Sequence, residues 1–367
     1  MIKPNYMDKL LDGVEVEWKP LGEVVIIKNG KDWKNLSAGN IPVYGSGGIM
    51  AYVDKFAYDK PTVLIPRKGS ITNIFYVENP IWNVDTIYYT EIDTNLLRPK
   101  FFYYYMKTID LMKLDTGSGR PSLTQAILNE IPIPIPPLKV QEEIVRILDT
   151  FTELIAELTA ELTARKKQYT YYRDKLLTFN EGEVEWKALG ELAENLDSMR
   201  KPVTSGVREL GDVPYYGASG IVDYVKDYIF EGDFLLVSED GANLVARNTP
   251  IAFSAIGKIW VNNHAHVLKF KTYEDRRFVE FYLNYIDLTP YISGAAQPKL
   301  NQKNLNSIMV PNPLPIQKKR IVSILDKFDA LTSSITEGLP REIELRKKQY
   351  EYYRNMLLSF PKSEVEA

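Results

Sequence analysis

Few residues in this chain have the types and spacing for catalysis. The two histidines, His264 and His266, sit two apart in VNNHAHVLKF. On a strand that spacing puts both on one face, where they could hold a metal. No carboxylate cluster completes such a site nearby, so a surface or turn role is the simpler expectation. There are no cysteines, which removes disulfides, thiolate nucleophiles and zinc–thiolate sites. Glu17-Trp18-Lys19 and Glu185-Trp186-Lys187 repeat a Glu-x-Lys spacing, but no Pro-Asp partner precedes either, which argues against a nuclease site. No G-x-x-x-x-G-K-[ST] loop is present, so nothing suggests ATP bound through a P-loop. The glycine runs Tyr44–Gly48 and Tyr216–Gly220 read as tight turns rather than cofactor cradles.

What remains is binding chemistry. Lys28, Lys31 and Lys34 surround Trp33, and Arg67-Lys68-Gly69-Ser70 follows an apolar run. A loop Thr116-Gly-Ser118-Gly-Arg120-Pro-Ser122 comes later. The second half of the chain offers Asn262-Asn263 and Ser293-Gly-Ala-Ala-Gln297-Pro-Lys299. Glycine lets backbone N–H groups approach a phosphate, while Arg, Lys and Ser add charged or hydroxyl donors. Arg can grip guanine, and Asn or Gln adenine, with two hydrogen bonds each. Lys31, Trp33, Arg67, Lys68, Ser118, Arg120, Asn262, Asn263, Gln297 and Lys299 are therefore the candidate DNA-binding residues. The net charge of −3 argues against a uniformly basic coat, not against local basic clefts.

These residues need elements to position them. PTVLIPRKG (61–69), NIFYVEN (73–79), DTIYYTEI (85–92), FLLVSEDG (234–241) and HVLKFKT (266–272) read as strands. Segments 99–114, 274–288 and 123–131 read as helices. IPIPIPPL (131–138) and VPNPLPI (310–316) cannot be central strand or helix, because proline lacks the N–H donor; they read as stiff connectors. At 367 residues, 45% hydrophobic and 25% charged, the chain is long enough for two domains with real cores. The N-terminal MIKPNYMDKLLDG lacks the apolar run of a signal peptide, no stretch is long and apolar enough for a membrane span, and a cytoplasmic location is expected.

Two organising features stand out. Segments 13–24, 41–53, 97–111 and 116–151 recur in order as 182–192, 213–225, 276–288 and 293–328, so one unit, a globular domain followed by a long helix, is used twice. The long helices share a seam. Ile144, Leu148, Phe151, Ile155, Leu158, Leu162, Tyr169 and Tyr172 step by threes and fours apart from Arg165, and Ile321, Leu325, Phe328, Ile335, Tyr350 and Tyr353 answer them. That is a heptad pattern suited to a partner helix, or else two amphipathic helices in an ordinary core. Lys166 and Lys347 lie off the seam. Gly338 and Pro340 should kink or break the second helix. MDKLL (7–11) resembles RDKLL (173–177), as though the N-terminus were the tail of a helix whose body lies at the C-terminus, the look of a circularly permuted ring with a pseudo-two-fold axis.

The motif order EW-x-x-LGE, P-x-YG-[SA]-[SG]-G-I, a Gly-x-x-x-Pro loop, then a proline-rich entry and Q-x-x-I-x-x-I-L-D-x-F, all duplicated between about 13 and 360, resembles the specificity subunit of a type I restriction–modification system. The resemblance implies an α+β (mixed α/β) fold: two target-recognition domains (1–137 and 181–313) held apart by two antiparallel coiled-coil helices (138–180 and 314–361), with a short tail at 362–367. It implies that each domain reads one half of a split double-stranded DNA site. It implies no catalytic activity and no cofactor in this chain. Two modification subunits would carry adenosylmethionine, and restriction subunits would carry ATP hydrolysis with Mg. Phe151, Leu158, Leu162, Lys166, Tyr169, Tyr172, Phe328, Lys347, Tyr350 and Tyr353 would then serve the helix pair and partner docking. From the residues alone, a self-contained nuclease or methyltransferase with an unrecognised active site stays open.

Overall fold

The computed structural model describes residues 6–117, 119–240, 243–247, 249–294, 297–334 and 336–361. The chain forms two compact units, one from residues 1–159 with 342–367, the other from residues 160–341. The C-terminal helix thus belongs with the N-terminal domain, as a permuted repeat requires.

The first unit centres on Thr62–Pro66, whose five residues TVLIP are all buried. A continuous apolar run of that length suits a central strand, and it lies in a four-stranded sheet between Ile87–Ile92 and Phe75–Val77, with Val25–Lys28 beyond. A second sheet has three strands: Gly48–Val53, Ala38–Gly45 and Trp82–Asn83. The helix Pro99–Met106 opens on proline and buries Phe101, Phe102, Tyr104, Tyr105 and Met106 in the core. Proline suits that first position because its missing N–H would have no helical partner.

The second unit builds one six-stranded sheet where the first builds two. One strand makes the difference. Ala252–Val261 runs ten residues, pairing antiparallel with Phe230–Ser238 and then parallel with Leu210–Gly217 through Trp260 and Val261. In the first unit the same path, FYVENPIWN, is split into Phe75–Val77 and Trp82–Asn83. Registered on the pairs Leu64–Phe75 and Leu236–Phe253, Pro80 falls where Lys258 pairs with Glu231. Proline has no N–H for the ladder, so the strand is interrupted there.

The proline-rich connectors are edge strands: Pro132–Ile135 pairs with Glu17–Pro20, and Met309–Asn312 with Glu185–Ala188. A two-stranded ribbon has only edges, so it tolerates proline. The Glu-x-Lys motifs are self-paired on these strands, Lys19 to Glu17 and Lys187 to Glu185 at 3.2 Å each.

The helix Leu138–Leu177 runs 40 residues without a break. Its counterpart ends at Thr332 and restarts at Gly338, the expected interruption. Gly338 takes φ +76, and a Cβ there would stand 2.3 Å from the Ala330 carbonyl oxygen. Ile335 lies outside the described residues. Within the first unit Phe151 stacks on Tyr353 (5.4 Å, 25°), and within the second Phe328 stacks on Tyr172 (5.6 Å, 26°) and meets Tyr169 at 6.1 Å. Leu158, Leu162 and Tyr350 are half-buried, and Lys166 and Lys347 are exposed.

Two sequence expectations are corrected. Leu357, Leu358 and Phe360 are buried in the first unit's core, with Phe360 edge-on to Phe101, as Phe179 meets Phe278 in the second. The C-terminal helix therefore supplies its own tail. MDKLL, within the helix Tyr6–Leu11, is an additional piece packed on that core. The two helix-opening glutamines are also not equivalent. Gln141 is buried, donating to the Leu96 and Pro136 carbonyls and accepting from the Arg98 N–H. Ile144 follows it by three residues, whereas Ile321 follows Gln317 by four. Lys318 takes the buried place, donating to Asp275 and Asn312, and Gln317 instead accepts from the Leu314 N–H at the helix start.

Among the described residues no helix is long and apolar enough to cross a membrane, and no group of three His, Asp or Glu could hold a metal ion.

Candidate nucleic-acid interface

In the first unit four loops converge on an open cleft of about 840 Å³, lined by Asp32–Lys34, Gly45–Met50, Val84–Thr86 and Arg120. Backbone bonds fix each loop. The Lys31 N–H donates to the Asn83 carbonyl at 2.8 Å, and the Trp82 indole N–H donates to the Lys31 carbonyl at 3.1 Å. Asp32 accepts from the N–H groups of Trp33 and Lys34, a local turn that lays Trp33 half-buried over the cluster of Val43, Val53 and Val84. Lys31 and Lys34 are exposed.

The arginine loop is held as firmly. The Asp115 carboxylate accepts from the Ser122 and Gly117 N–H groups at 2.8 Å each, and those bonds hold its carboxyl below the usual range. A Cβ on Gly117 would stand 2.0 Å from the Arg120 carbonyl oxygen, so glycine is required for the tight return that puts exposed Arg120 at the tip. Gly69, at φ +87, sits under the Arg120 guanidinium and donates to the Pro121 carbonyl. Arg67 is half-buried against the Asp85 carbonyl, and Lys68 is exposed and bridged to Ser122. Trp33 and Arg120 thus line the cleft, with Lys31 next to it on the Trp33 loop and Arg67 and Lys68 beside it through the Asp85 carbonyl and the Ser122 bridge. Ser118 lies outside the described residues.

The second unit repeats the frame with other side chains. Lys201 donates its N–H to the Val261 carbonyl, and the Trp260 indole N–H donates to the Lys201 carbonyl at 2.6 Å, so Lys201 stands where Lys31 does. Ser293 and Lys299 exchange backbone bonds, and Gly294 at φ +88 makes the same close approach to Gln297. Gln297 is exposed at the position of Arg120. Asn263 is exposed, but Asn262 is buried and accepts from the His264 N–H at 2.8 Å. Its side chain shapes a turn, which corrects its reading as a ligand-facing group.

The histidines do not share a site. His264 pairs with Asp240 at 2.9 Å. His266 is fully buried, with Nδ1 2.6 Å from Asp197 and Nε2 2.6 Å from the Leu300 carbonyl oxygen. Each ring nitrogen therefore faces an oxygen. Burial opposes ionisation of Asp197, but the bonds from His266 and the Val267 N–H outweigh it and hold the carboxyl below its usual range. Glu239 is likewise held low against burial by Arg200, His266 and Lys299. The sequence carried no sign of this Arg200–Asp197–Glu239–His266 cluster, whose members come from three separate segments. The repeated Ile-Trp of PIWNV and KIWVN was a legible sign of the shared frame, but its bond to the lysine carbonyl was not.

Comparison with known proteins accords with this geometry. The type I restriction modification DNA specificity domain family matches residues 13–165 and 181–345. The chain is 36% identical to the type I restriction enzyme EcoR124I/EcoR124II specificity subunit of Escherichia coli, over 100% of this chain and 99% of that protein. It is 34% identical to a putative type I restriction enzyme specificity subunit of Haemophilus influenzae, over 97% and 98%. Among solved structures, a type I restriction–modification S subunit from M. genitalium superposes with a TM-score of 0.69 at 19% identity, covering 96% of this chain and 98% of that one. A duplicated α+β unit and full-length relatives agree: the chain belongs to the type I restriction–modification DNA specificity family and is a non-catalytic DNA-recognition subunit.

Proposed function

We propose that each globular domain, residues 1–137 and 181–313, reads one half of a split duplex site through its cleft, and that the helical segments 138–180 and 314–361 carry the readers and dock partners. The observation that supports this is one loop frame built twice with different side chains: Lys31, Arg67, Lys68 and Arg120 in one, Lys201, Asp240 and Gln297 over a buried Glu239 in the other. A shared frame fits a shared ligand, and divergent tips fit different half-sites. The partners are two modification subunits and the restriction subunits; adenosylmethionine, ATP and Mg belong to them, and this chain needs no cofactor of its own. It acts in the cytoplasm. Tyr169, Tyr172, Tyr350 and Tyr353 serve the helix seams, while exposed Lys166 and Lys347, with the outward Tyr171 and Tyr352, face the modification subunits.

The test is a domain exchange. Residues 13–137 are replaced by the equivalent region of a relative, and the methylome is sequenced in a host that supplies the modification subunits. One half of the methylated sequence changes and the other stays; an unchanged methylome rejects the reading.

A further inference from the structure

One device is the same in both units although their cleft mouths differ. In the hairpin of Ala38–Gly45 with Gly48–Val53, Tyr44 pairs with Ile49 but Val43 with Ala51, leaving Met50 as the extra residue of a β-bulge. In the hairpin of Leu210–Gly217 with Gly220–Val225, Tyr216 pairs with Ile221 and Tyr215 with Asp223, leaving Val222. A bulge re-aims the side chain it carries. Here both are aimed over a glycine: a Cβ on Gly45 would stand 3.1 Å from the Met50 sulfur, and one on Gly217 would stand 3.1 Å from Val222 Cγ1. Gly48–Val53 and Gly220–Val225 are edge strands of their sheets, and their apolar side chains stay out in solvent to the same degree. Ile49, Met50 and Tyr52 are 49%, 57% and 55% exposed; Ile221, Val222 and Tyr224 are 47%, 55% and 50%.

Exposed apolar pairs on an edge strand are normally selected against. Their recurrence at the same three positions, on the same bulge, marks a task that both halves share. It cannot be the reading of a half-site, because the two readers differ around it. Ile49 and Met50 also line the cleft that holds Trp33, Lys34 and Arg120, so whatever enters the cleft meets an apolar edge flanked by cations.

We propose that these bulge-borne pairs, Ile49 with Met50 and Ile221 with Val222, are apolar wedges that press on the base stack of each half-site. Resting on the half-site reading above, the inference gives the hairpins a sequence-independent part in it. Branched and unbranched aliphatic side chains unstack base steps in this way, and a modification enzyme must take its target base out of the stack. The wedge lowers that cost without contacting the reacting atoms, so these are positioning residues.

The experiment uses the complete complex of this chain with its modification subunits, duplexes carrying 2-aminopurine at the target position of one half-site or the other for fluorescence, and the same duplexes with the natural target base for methylation, since 2-aminopurine lacks the 6-amino group. The wild-type complex must first methylate a defined split site; if it does not, the half-site reading fails and the wedge is not what was rejected. Ile49→Ala with Met50→Ala then lowers the fluorescence rise and the methylation rate at the first half-site by roughly tenfold, the loss of about 1.4 kcal/mol in the transition state. The second half-site and the recognised sequence do not change. Ile221→Ala with Val222→Ala does the reverse. Ile49→Val with Met50→Leu restores the signal, which separates a wedge from a misfolded hairpin. Unchanged fluorescence in both alanine variants overturns the proposal. So does loss of the modification subunits on gel filtration, which makes the patch a protein-docking surface, and so does a changed half-site sequence, which makes these residues base readers.

Discussion

The Leu123 carbonyl in the first unit and the Leu300 carbonyl in the second occupy the same place, each directly after the glycine loop. The first accepts from the Tyr88 hydroxyl at 3.3 Å and the second faces the buried His266 ring at 2.6 Å. Around the first stand Arg67 and Lys68; around the second, at matching backbone bonds, stand Glu239 and Asp240. One frame therefore carries a neutral floor with a cationic edge in one half and an ionised, carboxylate-rich floor in the other. A tyrosine can support its carbonyl alone. The buried histidine packs against Asp197, and the two buried carboxylates pair with Arg200 and Lys299.

The strongest way to break this comparison is to cut the network. Asp197→Ala leaves the His266 Nδ1–H and the Val267 N–H without their acceptor and should destabilise the second unit by about 3–5 kcal/mol, the cost of stranding half of a buried pair; denaturant unfolding of the full chain, followed by Trp186 and Trp260 fluorescence in a background with Trp18, Trp33 and Trp82 replaced, measures it. The same network predicts an acid weakness. Asp197 and Glu239 are held below the usual carboxylate range when folded, so their contribution is fully present above the unfolded values near ~4 and is lost as pH falls through the folded ones. Hydrogen exchange, corrected for intrinsic rates, should show Ala265–Lys269 opening on acidification before Ile87–Ile92; simultaneous opening would place the acid-sensitive groups elsewhere.

The loop tips test the reading side of the comparison. Arg120→Ala and Gln297→Ala should each weaken DNA binding by the complex by about 1–3 kcal/mol if the group contacts a base, with relaxed sequence at one position of its own half-site. A phosphate contact would give a sequence-blind loss and a shallower salt dependence. Smaller still, Tyr88→Phe removes one neutral hydrogen bond and should cost the first unit about 1 kcal/mol; a loss as large as that of Asp197→Ala would show that the two floors are not different in kind.

The helix insertion should cost least in energy. One more Thr-Ala-Glu-Leu after Leu162 adds about 6 Å to a helix of about 60 Å, and a four-residue stutter is absorbed by local unwinding. It should keep both half-sites and lengthen the unread gap by one to two base pairs in the methylome. An unchanged gap would remove the helix as the ruler.

Legible in the sequence were the duplication, the apolar strands and the helices, the break at Gly338–Pro340 and the residues offered at the loop tips, but not that the proline-rich connectors pair as strands. Those signals are local: periodicity, proline's missing N–H, glycine where a turn needs it. The match of 116–151 with 293–328 aligns Lys318 with Gln141, but only the folded chain shows that Lys318 fills the buried place, through Asp275 and Asn312. The tertiary structure also decided that the C-terminal helix completes the first unit, that Asn262 and His266 face inward while Asn263 faces out, and that Lys201 stands for Lys31. Each depends on which distant backbone group lies opposite a side chain. That is a property of strand register and loop closure, which short stretches of sequence do not encode.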